Sequence, residues 1–217
     1  MGTGNGLIYI HGKGGNAKEA ERYRPLFPEY EIAGLDYQAR TPWEAREEFR
    51  RFWDAFRTGH SRIVVIANSI GAFFAMHALS EKRIEKTYFI SPIVNMEKLI
   101  LDMIQWAGVS ERELMEQGTI ETGFGETLSW EYLSWVRENP VSWRVPTSIL
   151  YGANDTLQSM ETIQDFARQT GADVTVMEHG GHWFHTEEEL AFLDNWIQGS
   201  RENGFGERAA PWNTVKP

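Results

Sequence analysis

The chain has 217 residues, 41% of them hydrophobic, and a formal net charge of −10. That length suits one substantial domain and lets roughly 70% of the unfolded surface be buried. The acidic balance argues against a phosphate-backbone ligand, which needs clustered Lys and Arg; the absence of cysteine excludes disulfides, thiolate chemistry and zinc–thiolate sites. No basic stretch followed by an apolar core opens the chain, and no apolar run reaches the ~20 residues that span a bilayer. A soluble cytoplasmic protein, bound to neither nucleic acid nor membrane, is expected.

Short apolar runs alternate with amphipathic segments, the pattern of an α/β layer fold with a mostly parallel sheet. Residues 7–10 read as the first strand. Asn16 with Glu19 caps a helix running toward Phe27, and 31–37 is a second strand. Thr41-Pro42-Trp43-Glu44 combines a capping box with proline at the first helical position. The helix it opens places Phe49, Phe52, Trp53 and Phe56 on one face. Residues 62–67 form a third strand. The segment after it, through Phe73, Phe74, Met76 and Leu79, is apolar nearly all round and therefore expected to be buried.

Residues 86–90 form a fourth strand, ended by Ser91-Pro92. Residues 93–145 break the alternation and read as two or three helices, with one apolar stripe through Met96, Leu99, Ile100, Met103 and Ile104. Ser110 with Glu113 caps another helix, and Trp130, Leu133 and Val136 form a further stripe. Such an insertion is expected to cap a ligand site. The strand 147–152, the helix 159–170 and the strand 173–177 follow. A capping box at Thr186–Glu189 opens a last helix with Leu190, Leu193 and Ile197 inward. A single domain over 1–198 is expected, with 199–217 as a tail of unassigned function.

The chemistry concentrates where strands end. In Ala67-Asn68-Ser69-Ile70-Gly71 an apolar run stops at a serine flanked by small residues and a helix follows, the strand–turn–helix of a nucleophile elbow. Ser69 could equally be the N-cap of that helix. A base and an orienting acid are then expected downstream, in the order Ser, Asp or Glu, His. The acid candidate is Asp155, in the loop after Tyr151-Gly152, where an Asx turn is the structural alternative. Asp36 is a rival, but it precedes the serine.

The base candidate is His182, after the Gly180-Gly181 turn. His179 and His185 lie nearby, but no carboxylate has ligand spacing and the glycines oppose a helical arrangement, so no metal is expected. The Gly-rich His11-Gly12-Lys13-Gly14-Gly15 loop lets backbone N–H groups face a ligand. Its spacing is not that of a phosphate-binding P-loop. Lys13 and Ile70 are the candidate oxyanion donors, with Gly14 in reserve.

Taken together, the His11-Gly12 loop, the Ser69 elbow, the Tyr151–Asp155 loop and the Gly180-Gly181-His182 turn resemble, in order, the pattern of the α/β-hydrolases. The resemblance covers roughly residues 7–198. Ala67 stands where that family often has glycine, and the first strands of the full fold are missing, which implies a reduced sheet of about six strands with helices on both faces. The resemblance implies a serine hydrolase cleaving small, uncharged esters, with Ser69 as nucleophile, His182 as base and Asp155 as orienting acid, and without a cofactor. His11, Gly12, Met96, Met103, Trp130 and Trp183 are the expected substrate-pocket residues. Thioesterase, lactonase and amidase chemistry use the same residues, lyases and cofactor-free peroxidases reuse the scaffold, and some members only bind small molecules. The oligomeric state is not legible.

Overall fold

The computed structural model describes residues 2–202 and the backbone of Asn213–Val215. Two compact units emerge. One joins Met1–Val94 to Ser142–Pro217, and the other is Asn95–Val141.

In the first unit, β1 (Gly4–Ile10) is followed by a 3₁₀ segment, Ala17–Leu26, and β2 (Tyr30–Leu35). The Asn16–Glu19 capping box is present. The helix it opens is 3₁₀ rather than α, and Pro25 lies inside it, where proline lacks an N–H and its ring crowds the preceding turn. α1 (Pro42–Phe56) begins with the expected Thr41–Glu44 box and buries Phe49 and Trp53. β3 (His60–Asn68) leads into α2 (Ile70–Leu79), in which every residue from Gly71 to Leu79 is buried. β4 (Lys86–Ile90) then leads out to the insertion.

The second unit contains α3 (Met96–Trp106), α4 (Glu111–Gln117), β5 (Thr119–Glu121), β6 (Thr127–Ser129) and α5 (Trp130–Glu138). The three helices match the expected count, and the apolar stripe of α3 is buried at Met96, Leu99, Ile100 and Ile104. The antiparallel β5–β6 hairpin was not anticipated. Its strands are three residues each, too short for a period to show, and it is framed by Gly118 and Gly125 at φ of 77° and 82°. Arg137 ties this unit together, reaching Glu97 at 2.7 Å and Glu111 at 2.7 Å.

The chain returns to the first unit through β7 (Thr147–Gly152), α6 (Met160–Thr170), β8 (Asp173–Met177) and α7 (Glu187–Glu202). α7 runs past the expected boundary at residue 198. Asn213–Val215 forms a further strand, β9, beside β8. A three-residue strand has no readable alternation; the rest of the expected tail lies outside the described residues.

The sheet has the order β2-β1-β3-β4-β7-β8-β9, with every pairing parallel. β9 adds one strand to the six expected. Both faces of a parallel sheet are covered, so its central strands read as near-continuous apolar runs; β7 is buried at all six positions. On one face Tyr9, Ile66, Tyr88 and Leu150 pack with Tyr23 of the 3₁₀ segment, with Phe27 just after it, and with Leu193, Trp196 and Ile197 of α7. On the other, α1 packs against α2, with Phe49 edge-on to Phe74. β1 pairs with β2 on one side and β3 on the other, so the winding direction reverses between β1 and β3. In open α/β sheets, ligands bind outside the carboxyl ends of the strands at such a reversal.

Candidate active site

Ser69 sits directly above that reversal, at the end of β3. Its backbone lies at φ 50°, ψ −123°, a region that costs a non-glycine residue of order 1–3 kcal/mol. Its side chain makes no cap hydrogen bond to α2. The helix-cap role that the sequence left open is therefore not the one the hydroxyl takes. The turn is held by backbone instead: Ser69 N–H donates to the Ile90 carbonyl at 3.0 Å, and its own carbonyl accepts from Ala72 and Ile93, each at 3.1 Å. Close packing explains the small residues around it. A Cβ on Gly71 would lie 2.3 Å from the His11 carbonyl oxygen, and one on Gly12 would lie 3.2 Å from Ser69 Cβ.

The Ser69 hydroxyl stands 2.8 Å from Nε2 of His182, and His182 Nδ1 stands 2.7 Å from Oδ2 of Asp155. The side chains of His182 and Asp155 are 8% and 0% exposed. Asp155 fills two roles at once. Its Oδ1 accepts the amides of Leu157 (2.8 Å) and Gln158 (3.3 Å), so the Asx turn exists, while its other oxygen faces the imidazole. Asp36, the rival, is exposed beyond β2.

The loops after β7 and β8 are zipped together, which brings Asp155 and His182 side by side. Ala153 N–H donates to the Met177 carbonyl (2.9 Å), Asn154 N–H to that of Gly180 (2.9 Å), and Asn154 Nδ2 to that of His179 (3.2 Å). A Cβ on Gly152 would fall 2.3 Å from the Gly181 carbonyl oxygen, so only glycine permits this approach. His179 and His185 are exposed, and among the described residues no three His, Cys, Asp or Glu side chains are grouped to hold a metal ion.

The loop of residues 11–16 turns tightly, with Gly15 N–H donating to the Gly12 carbonyl (3.1 Å) and Gly14 at φ 76°. Lys13 and Gly14 are exposed. The Ile70 amide is in the first turn of α2, where N–H groups have no intrahelical acceptor. His11, expected as a pocket residue, is buried against Tyr37. Its ring is stacked on Tyr37 at 4.2 Å and the residue is 7% exposed, because Tyr37 also holds its carbonyl through a 2.8 Å hydrogen bond. Trp183, next to His182, is 68% exposed. Met96, Met103 and Trp130 belong to the second unit, Met96 buried and the other two half-buried.

Two supports escaped the sequence reading. Asn68 Nδ2 donates to the Tyr9 hydroxyl (3.0 Å), which donates to Glu19 Oε2 (2.5 Å), and Glu19 Oε1 accepts the Asn16 amide (2.9 Å). This relay links the residue before Ser69 to the end of the glycine loop. Burial pushes the Tyr9 phenol up, so it remains a donor. The second support is Glu189, 7% exposed, whose carboxylate accepts the Gly181, His185 and Thr186 amides and the Thr186 hydroxyl. Burial raises its pKa, but these donors outweigh it and bring the value down to about 2. The Thr186–Glu189 box was readable; the contacts of Glu189 beyond the helix were not. A cavity of about 500 Å³ lined by Phe27, Tyr30, Tyr88 and Arg201 includes Asn5 and Arg62, at the amino ends of β1 and β3, and is thus separate from this site.

No protein-family model matches the chain, and no curated protein matches it. Solved structures do. The alpha/beta hydrolase domain-containing protein 10 from mouse is similar at a TM-score of 0.72 and 15% identity, over 94% of this chain and 92% of that one. Est1E from Butyrivibrio proteoclasticus is similar at 0.71 and 14%, over 93% and 88%, and it has also been solved with ferulic acid bound. An esterase from Pyrococcus furiosus is similar at 0.59 and 21%, over 94% and 82%. With this agreement across nearly the whole chain, and the parallel sheet and winding described above, the protein has the α/β-hydrolase fold.

Proposed function

We propose that the protein is a serine hydrolase that cleaves small, uncharged carboxylic esters through an acyl-enzyme. The observation that carries this reading is the unbroken row from Asp155 through His182 to Ser69, with a serine whose strained backbone leaves its hydroxyl free of the helix end. Ser69 Oγ attacks the acyl carbon as His182 Nε2 takes its proton. The same nitrogen then protonates the departing alcohol, and water repeats the sequence to release the acid. Asp155 holds the imidazole with Nδ1 protonated and stabilises the imidazolium.

The Lys13 and Ile70 amides, with Gly14 in reserve, are the donors for the tetrahedral oxyanion; one such donor contributes roughly 10²–10³ in rate. A net charge of −10 disfavours anionic substrates. The exposed indole of Trp183 beside the base suits an apolar or aromatic group on the ester. Esterases among the similar structures, one with ferulic acid bound, agree with an ester substrate.

The test is a fluorophosphonate probe with mass-spectrometric mapping of the labelled residue, run beside a panel of p-nitrophenyl esters, thioesters and lactones. Labelling at Ser69 and fastest turnover of the esters are expected. Absence of both labelling and acyl turnover would overturn the reading. Faster thioester or lactone cleavage would keep the nucleophile and correct the substrate.

A further inference from the structure

A capping box needs only one bond from its acidic residue, back to the N-cap amide. Glu189 makes that bond to Thr186 N–H (3.0 Å) and also accepts the Thr186 hydroxyl (3.0 Å). Two further bonds reach outside the helix: Oε1 accepts Gly181 N–H at 3.1 Å, and Oε2 accepts His185 N–H at 3.1 Å. Gly181 immediately precedes His182 and His185 lies three residues after it. A single buried carboxylate therefore grips both flanks of the turn that presents the imidazole.

Without this grip the turn would be loose, because it contains two consecutive glycines, which restrict the backbone least. The loop after β7 ties down the backbone at Met177, His179 and Gly180, and beyond them it meets the His182 ring through Asp155. Glu189 thus fixes the backbone immediately before His182, while His185, itself held by Glu189, bonds through Nδ1 to the Trp183 carbonyl (2.6 Å) immediately after it. Hydrogen bonds to a charged acceptor are stronger than neutral ones, and this carboxylate, held to a pKa of about 2, stays charged at working pH.

We propose that Glu189 is a positioning residue that fixes His182 within reach of both Ser69 and Asp155. The proposal rests on the serine-hydrolase reading, and it has a readout independent of turnover. Three variants separate the roles. Glu189→Ala removes every bond. Glu189→Gln is isosteric and keeps one acceptor oxygen, but sets NH₂ against backbone donors on the other side. Thr186→Ala removes the cap hydroxyl, while leaving the Gly181 and His185 bonds.

Misplacement of a reacting group by about 1 Å can lower rate by ~10²-fold. On p-nitrophenyl acetate, at a temperature where each variant is folded, kcat should fall about 10²-fold in Glu189→Ala and about 10-fold in Glu189→Gln, with KM within about twofold. Thr186→Ala should keep wild-type kcat despite a lower Tm. In parallel, the far-downfield proton NMR resonance of the His182–Asp155 bond should persist in Thr186→Ala and broaden or vanish in Glu189→Ala and Glu189→Gln.

If the Glu189 variants match Thr186→Ala in kcat and keep the resonance, Glu189 is only a helix cap and the proposal falls. If Glu189→Ala does not fold, the comparison of Glu189→Gln with Thr186→Ala decides alone. If the wild type neither turns over esters nor takes the probe, the hydrolase reading fails, and the resonance still decides whether Glu189 holds His182.

Discussion

The sheet unit buries long apolar strands, and its loops approach one another so closely that Gly71 and Gly152 have no room for a Cβ. The insertion Asn95–Val141 is built otherwise. Its core is a few side chains from short helices, such as Leu114 and Leu133, and Arg137 bridges its surface to Glu97 and Glu111. Trp106, Met115 and Phe124 are about half exposed on it, at 53%, 50% and 45%. The hydrogen-bonded row of Ser69, His182 and Asp155 lies wholly in the sheet unit. Reacting groups need positions held to fractions of an ångström, and a close-packed parallel sheet supplies them. The insertion combines a small core with ion pairs at its surface.

The comparison is broken most severely at Ser69. Ser69→Ala should lower kcat on p-nitrophenyl acetate by about 10⁶-fold while circular dichroism and Tm stay near wild type. Retained turnover would remove the sheet unit's claim to the chemistry. Asp155→Asn should come next, at about 10⁴-fold or somewhat less, because the amide oxygen can keep the Asx turn while the NH₂ group favours the wrong imidazole tautomer. A fall in activity with unchanged thermal unfolding is expected. Gly152→Ala tests packing rather than chemistry: a methyl group 2.3 Å from a carbonyl oxygen must separate the two loops, for a loss of ~1–3 kcal/mol in denaturant melts.

A pH titration of stability sharpens the same contrast. His77, buried in α2 near Arg46, has its pKa lowered to about 4, first by burial and then by that charge. The unfolded chain therefore takes up this proton first, and stability should fall as pH drops from 6.5 toward 4. His77→Gln should flatten that window. Glu189 is shifted in the same direction but by backbone and hydroxyl donors acting against its burial: its contribution is complete above about 4.5 and is lost as pH falls toward 2. The smallest effect belongs to the insertion. Arg137→Ala removes two partly exposed ion pairs, each contributing ~0.2–1 kcal/mol, and added salt should shrink the difference.

Much of the sheet unit was legible because its signals are local. Apolar strands end at Ser69, just before Asp155 and just before the glycines that precede His182, and their order along the chain, matched to that of the α/β-hydrolases, pointed to their meeting. The capping boxes at Thr41 and Ser110 were visible for the same reason. What was not legible depends on partners distant in sequence. Asn68, Tyr9 and Glu19 form a relay only because β1 lies beside β3. The stacking of His11 on Tyr37, 26 residues away, is likewise a contact between strand ends distant in sequence. The β5–β6 hairpin and β9 are each too short for a period to be read.

The zipped loops after β7 and β8 divide the site into two bodies. Asp155 and His182 ride on one, joined by the bonds from Ala153 and Asn154 to Met177, His179 and Gly180. Ser69 rides on the other, anchored to Ile90 and Ile93. Relative motion of the two would therefore change the Ser69–His182 distance more than the Asp155–His182 distance. The joint between them in this row is the 2.8 Å contact of Ser69 Oγ with His182 Nε2, so, on the proposed hydrolase reading, ester turnover should fall on heating before circular dichroism reports melting of either body.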